Sequence, residues 1–112
     1  MFITERRSAR RFKVSLDASW EGTLAQCGGL VVDLSEAGCF ILTSDRVLPR
    51  EMVRVELRPS PGERVQVWGE VIYQVPEMGF GLRFVRSDDA AHETVGHLVA
   101  RLHADEPAGA RA

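Results

Sequence analysis

The chain has 112 residues, 45% of them apolar and 27% charged, which suits one soluble domain with a core of its own and no need for disulfides or a structural metal. No run of about twenty apolar residues occurs, and the start, Met-Phe-Ile-Thr-Glu-Arg-Arg, lacks the apolar stretch of a signal peptide, so the expected location is the cytoplasm, away from membranes. The net charge of −2 is uneven: Arg6, Arg7, Arg10, Arg11 and Lys13 face Glu5 alone within residues 1–13, so a cationic arm precedes an acidic body, which suits an anionic ligand at the arm and argues against long nucleic acid.

Residues 1–13 read as that arginine-rich, flexible arm. Val14, Leu16, Ala18 and Trp20 then alternate with polar residues, the period of a half-buried strand, and Gly22 ends the run. Leu30-Val31-Val32 follows Gly28-Gly29 as a second strand, and Cys39 to Thr43 is a third. In the fourth, Met52 to Arg58, Val53, Val55 and Leu57 share one face and Arg54, Glu56 and Arg58 the other. Pro59 to Glu63 is a turn by composition. The fifth strand runs from Arg64 to Val75, with Gly69 suggesting a bulge or bend. After Pro76 to Gly79, the sixth alternates Phe80, Leu82 and Phe84 with Gly81 and Arg83. Short strands between frequent turns predict an antiparallel barrel or sandwich over residues 14–86. The period then becomes helical over 87–104. Ala91, Val95, Leu98 and Leu102 fall on one face, Ser87 is a candidate N-cap, and Asp88 and Asp89 suit the positive end of the dipole. Residues 105–112 form a loose tail.

Enzyme signatures are missing. No phosphate-binding loop or nucleophile elbow occurs, and Gly79-Phe80-Gly81 is a strand fragment, not a dinucleotide fingerprint. His92, His97 and His103 lack the spacing of a two-histidine metal face, and Cys27 and Cys39 form no tight pair, so solvated histidines and no metal are expected. Cys39, in an apolar run, reads as a small buried hydrophobe. No catalytic residue and no cofactor is assigned.

Two patterns remain. Glu5 to Phe12 holds two overlapping Arg-x-x-x-Arg pairs, Arg7 with Arg11 and Arg6 with Arg10. Arginine's planar fork suits phosphate and the O6 and N7 of guanine, and it stacks on flat rings. The plainer alternative is a disordered basic tail. The second pattern is Asp33-Leu34-Ser35-Glu36-Ala37-Gly38, between two apolar strands. Asp33 as a carboxylate accepts only, which matches the N–H donors on guanine's Watson–Crick edge. Gly38 suits a tight turn with φ > 0. The plainer alternative is a turn in which Asp33 and Ser35 bond their own backbone.

Together, Arg7-x-x-x-Arg11 and Asp33-x-Ser35-x-x-Gly38 resemble the two-part signature of PilZ domains. Phe12-Lys13-Val14 looks like the lead-in to that family's first strand, and Gly79 to Phe84 like its closing strand, so the resemblance covers residues 5–103. It implies a mainly β fold, a six-stranded antiparallel Greek-key β-barrel with a C-terminal helix, that binds the second messenger cyclic di-GMP. Arg7 and Arg11 would grip phosphate and guanine, Asp33 and Ser35 would contact a guanine edge, and Gly38 would permit the turn. Arg10 and Arg83 are candidates for further contacts, and Arg10 keeps the second register open. Tyr73 falls where many relatives place a tryptophan, with stacking or barrel packing as its role. Arg6, just before the motif, implies that the ligand binds as an intercalated dimer. The expected function is signal transduction to an effector protein in trans. The alternatives are a constitutive protein-interaction module of the same fold and, against the acidic body, a small nucleic-acid-binding barrel.

Overall fold

The computed structural model describes residues 11–24, 26–85 and 89–104, with backbone alone for Cys27, residues 89–93 and residues 103–104. Its elements are β1 (Phe12–Glu21), β2 (Gln26–Leu34), β3 (Gly38–Leu42), β4 (Met52–Ser60), β5 (Glu63–Val75), β6 (Gly79–Phe84) and α1 (Asp89–Ala104). All strand pairs are antiparallel, and they close into a barrel in the order β1-β2-β3-β6-β5-β4, with β4 returning to β1. The β1-β2-β3 meander is followed by a long connection to β4, which lies beside β1; this is a Greek key. Closure leaves no unpaired sheet edge.

The interior is filled as strand alternation dictates. Leu16, Ala18 and Trp20 of β1 point inward, as do Val53, Val55 and Leu57 of β4, while Arg54 and Arg58 stay outside. Trp20 is 2% exposed and meets Phe80 edge-on, with ring centroids 5.1 Å apart at 80°, a favoured aromatic geometry. The helix buries Val95, Leu98 and Val99 and packs against β5 and β1. It carries no stretch long and apolar enough to cross a membrane among the described residues.

Several boundaries differ from the sequence reading. β1 begins at Phe12, because Phe12 is itself buried. β2 begins at Gln26 and takes in Gly28 and Gly29. That pair falls before the strand read from the sequence, but a Cβ on Gly29 would lie 2.8 Å from the Cγ2 of Ile41, so the glycine answers a packing need inside β2. β5 is irregular between Val71 and Tyr73, not at Gly69, whose missing side chain makes room for Leu82. The turn expected over Pro59 to Glu63 narrows to Pro61-Gly62, with Pro59 and Ser60 in β4 and Glu63 in β5; Gly62 has φ 82°, the proline-then-glycine order of a type II turn. The proposed cap Ser87, Asp88 and the tail lie outside the described residues.

Glu51 ties the loops at one end of the barrel together. Its carboxylate accepts from the amides of Thr23 at 2.8 Å and Leu48 at 2.7 Å. Partial burial opposes its ionisation, but these amide bonds outweigh it and hold the carboxyl below its ordinary range.

Candidate functional site

The site is built where β1 begins and β2 turns into β3. Phe12 pairs with Leu34 and Lys13 with Asp33 across β1 and β2. Phe12 and Leu34 are both buried, so the next pair, Lys13 and Asp33, faces outward. Asp33 is in turn opposite Phe40 of β3, and Phe40 opposite Gly81 of β6. One row therefore runs across the outer wall from lysine to carboxylate to aromatic ring.

Arg11 reaches this row from just before β1. Its Nη1 donates to Oδ2 of Asp33 at 2.9 Å, joining residues 22 positions apart and bringing the two sequence patterns into contact. The side chains are 63% and 26% exposed respectively. A pair this open to water stabilises the fold by at most about 1 kcal/mol, so the contact positions groups more than it holds the barrel together. Arg6, Arg7 and Arg10 lie outside the described residues.

Ser35 is buried and locks the turn. Its Oγ accepts from the amides of Ala37 at 3.0 Å and Gly38 at 3.3 Å, and its own amide donates to the carbonyl of Gly38 at 2.9 Å. The self-bonded turn is thus found for Ser35, whereas Asp33 is left to Arg11. Ser35 shapes the turn that carries Asp33 and presents no exposed hydroxyl.

The expected role of Gly38 is corrected. Its φ is not positive; Gly62 is the glycine with positive φ among the described residues. A Cβ on Gly38 would lie 2.0 Å from the carbonyl oxygen of Leu82, so the position needs glycine because β3 and β6 approach closely there. Gly38→Ala is expected to cost about 1–3 kcal/mol through forced separation of these strands, seen as a lower midpoint in thermal denaturation. An unchanged midpoint would show that the two backbones part freely.

Arg83 stands opposite Gly38 in the β3–β6 register. Its guanidinium is paired with Glu70, which also accepts from Arg50 at 3.0 Å. It lies beside the turn without touching Asp33. Beneath the site, burial pushes the Cys39 thiol up to about 12, and the nearby charge of Asp33 adds to this. A thiol so protonated is no nucleophile, and its burial matches the sequence reading.

Phe40 was missed as a site residue. Its ring stacks on Tyr73, centroids 6.0 Å apart at 28°. Tyr73 reaches it across Gly81, where a Cβ would come within 2.5 Å of the tyrosine ring. Tyr73 is 46% exposed, so it packs on the outer wall and not in the core. The signal was present: in Cys39-Phe40-Ile41 the neighbours are core residues, so alternation leaves Phe40 outside. A hollow of about 170 Å³ elsewhere on the barrel is lined by Ser19, Trp20, Glu21, Gln26, Arg54, Glu56 and Gln66 and shares no residue with this site. Its Arg54 is already paired with Glu21. Among the described residues no group of His, Cys, Asp and Glu could hold a metal.

Comparison with known proteins gives the same outline. The family model described as "PilZ domain" matches residues 5–101. No curated protein matches the sequence. Among solved structures, the PilZ domain of CeSA from a cellulose-synthesizing bacterium superposes with a TM-score of 0.70 at 16% identity, covering 84% of this chain and 98% of that one. The PilZ domain of YcgR from Escherichia coli, solved with c-di-GMP, gives 0.70 at 13% identity, covering 91% and 99%. The Bacillus subtilis inhibitor of motility MotI/DgrA gives 0.71 at 15% identity, and there the match spans 91% of this chain but 53% of the other. At such identities the likeness is one of fold.

Proposed function

The chain belongs to the PilZ domain family, and from that premise we propose that it is a cyclic di-GMP receptor, without catalytic activity, that signals to a separate partner protein. The observation that carries this reading is the Arg11–Asp33 contact, which joins the two halves of the signature on one outer face. The chemistry is complementary. Arg11 can donate its fork to phosphate or to guanine O6 and N7. Asp33, fixed at the edge of the Ser35 turn, can accept from guanine N1–H and N2–H. Phe40 and Tyr73 add flat apolar surface beside the carboxylate. The c-di-GMP in the structurally similar YcgR domain supports the assignment.

On ligand binding Arg11 and the arm before it change what the barrel offers a partner. Calorimetric titration of cyclic di-GMP into the purified protein is expected to show saturable binding. Absence of heat at roughly millimolar ligand, weaker than about −4 kcal/mol, would favour the constitutive interaction module instead. That second reading draws on the exposed apolar side chains Trp68, Ile72 and Tyr73 of β5 and Met78 of the turn that follows it.

The stoichiometry is expected to be two ligands per chain. Arg6 stands just before the Arg7–Arg11 pair, and its guanidinium could stack on one guanine of an intercalated dimer while donating to another. Arg6→Leu should shift the calorimetric ratio toward one and leave residual binding. A ratio of one for the unmodified protein, well above the dissociation constant, rules out this role for Arg6.

A further inference from the structure

Asp33 has two cationic residues on its β1 side, and its ion pair goes to only one of them. Lys13 is its direct cross-strand partner, Cα opposite Cα, with both side chains outward. Directly opposed residues have Cβ atoms about 4.5–5.5 Å apart, well within the reach of a lysine stem. The ion pair nevertheless goes to Arg11, two residues earlier on the same strand line, and Lys13 makes no ion pair among the described residues. The physical reason is hydration: a guanidinium is held less tightly by water than an ammonium and donates from a preformed fork.

Binding as proposed above changes that balance when Arg11 turns its fork from Asp33 to the ligand. The carboxylate, only 26% exposed, would then face the guanine with no compensating charge. Cys39 beneath it stays a neutral thiol, and Phe40 opposite offers an apolar ring. We propose that Lys13 is the reserve counter-ion of Asp33: its ammonium takes over the carboxylate when Arg11 leaves, and so keeps a cation beside Asp33 while it faces the guanine. Lys13 is thus a positioning residue that rests on the receptor reading, acting through Asp33 and not by touching the ligand.

The test is a cycle of variants. Lys13→Met is expected to weaken cyclic di-GMP about five- to tenfold, and Lys13→Arg to recover it to within about threefold. In an Asp33→Asn background Lys13→Met should cause no further loss, since no carboxylate remains to balance. Equal loss in both backgrounds would make Lys13 a direct phosphate contact and overturn the proposal, as would no loss in either. A ligand-free measurement separates this from the receptor reading. In Arg11→Ala protein the Lys13 ammonium ¹⁵N signal should shift and exchange more slowly with water, and Asp33→Asn should abolish both changes. An ammonium signal indifferent to Asp33 overturns the exchange of counter-ions. If the unmodified protein binds no cyclic di-GMP, the receptor reading fails, and this spectrum alone decides whether Lys13 can replace Arg11.

Discussion

Arg11→Ala weakens cyclic di-GMP binding about ten- to hundredfold while the melting temperature moves by no more than a few degrees. The first half follows from the charge-assisted bonds lost, about 1.5–3 kcal/mol for a bond to a charged group. The second follows from geometry. Arg11 precedes β1, is largely exposed, and holds Asp33 in a pair that contributes at most about 1 kcal/mol. Arg7→Ala is expected to behave alike, from its place in the motif. Calorimetry and thermal melts on the same samples check both halves. Unchanged affinity in both variants would falsify the receptor reading. Arg10→Ala belongs in the same series: if Arg10 matters and Arg11 does not, the arm uses the Arg6–Arg10 register.

Cyclic di-AMP is expected to bind about 10²- to 10³-fold more weakly than cyclic di-GMP. Guanine turns two adjacent donors, N1–H and N2–H, toward a carboxylate acceptor. Adenine turns an acceptor, N1, toward it, so a lone pair meets a negative charge. A fully enclosed site that reads such a donor can reject its analogue by about 10⁴–10⁵. Asp33 is 26% exposed, so water offsets part of the penalty and the lower figure applies. Asp33→Asn should compress the ratio, since an amide offers both a donor and an acceptor. Comparable affinities for the two dinucleotides in the unmodified protein would show that Asp33 does not read the base.

The sequence carried the barrel in its alternation. Val53-Arg54-Val55-Glu56-Leu57 can bury one face only one way, and the strand found begins at the same Met52 and runs two residues further, to Ser60. Half of the candidate site was legible through its resemblance to a family signature: that singled out Asp33 and Ser35, although the plainer reading, a self-bonded turn, is the one found for Ser35. What it could not carry depends on neighbours distant in the chain. Gly38 reads as a turn residue, yet its need is set by the backbone of Leu82. Gly28-Gly29 falls before the strand as read, yet both lie within β2, where Gly29 fits against Ile41. Phe40 and Lys13 become site residues only when the register sets them on either side of Asp33. Val99 joined the buried helix face because two strands, β5 and β1, receive the helix and widen its apolar stripe.

The two tryptophans give the molecule a built-in optical readout. Trp20 is sealed in the barrel against Phe80, and Trp68 stands 44% exposed on the outer wall of β5. Native emission should therefore contain a blue component that iodide cannot quench and a red component that it can. Unfolding merges the two, so the blue component measures barrel integrity. A partner that covers the β5 wall would shield the red component from iodide and leave the emission of Trp20 where it was.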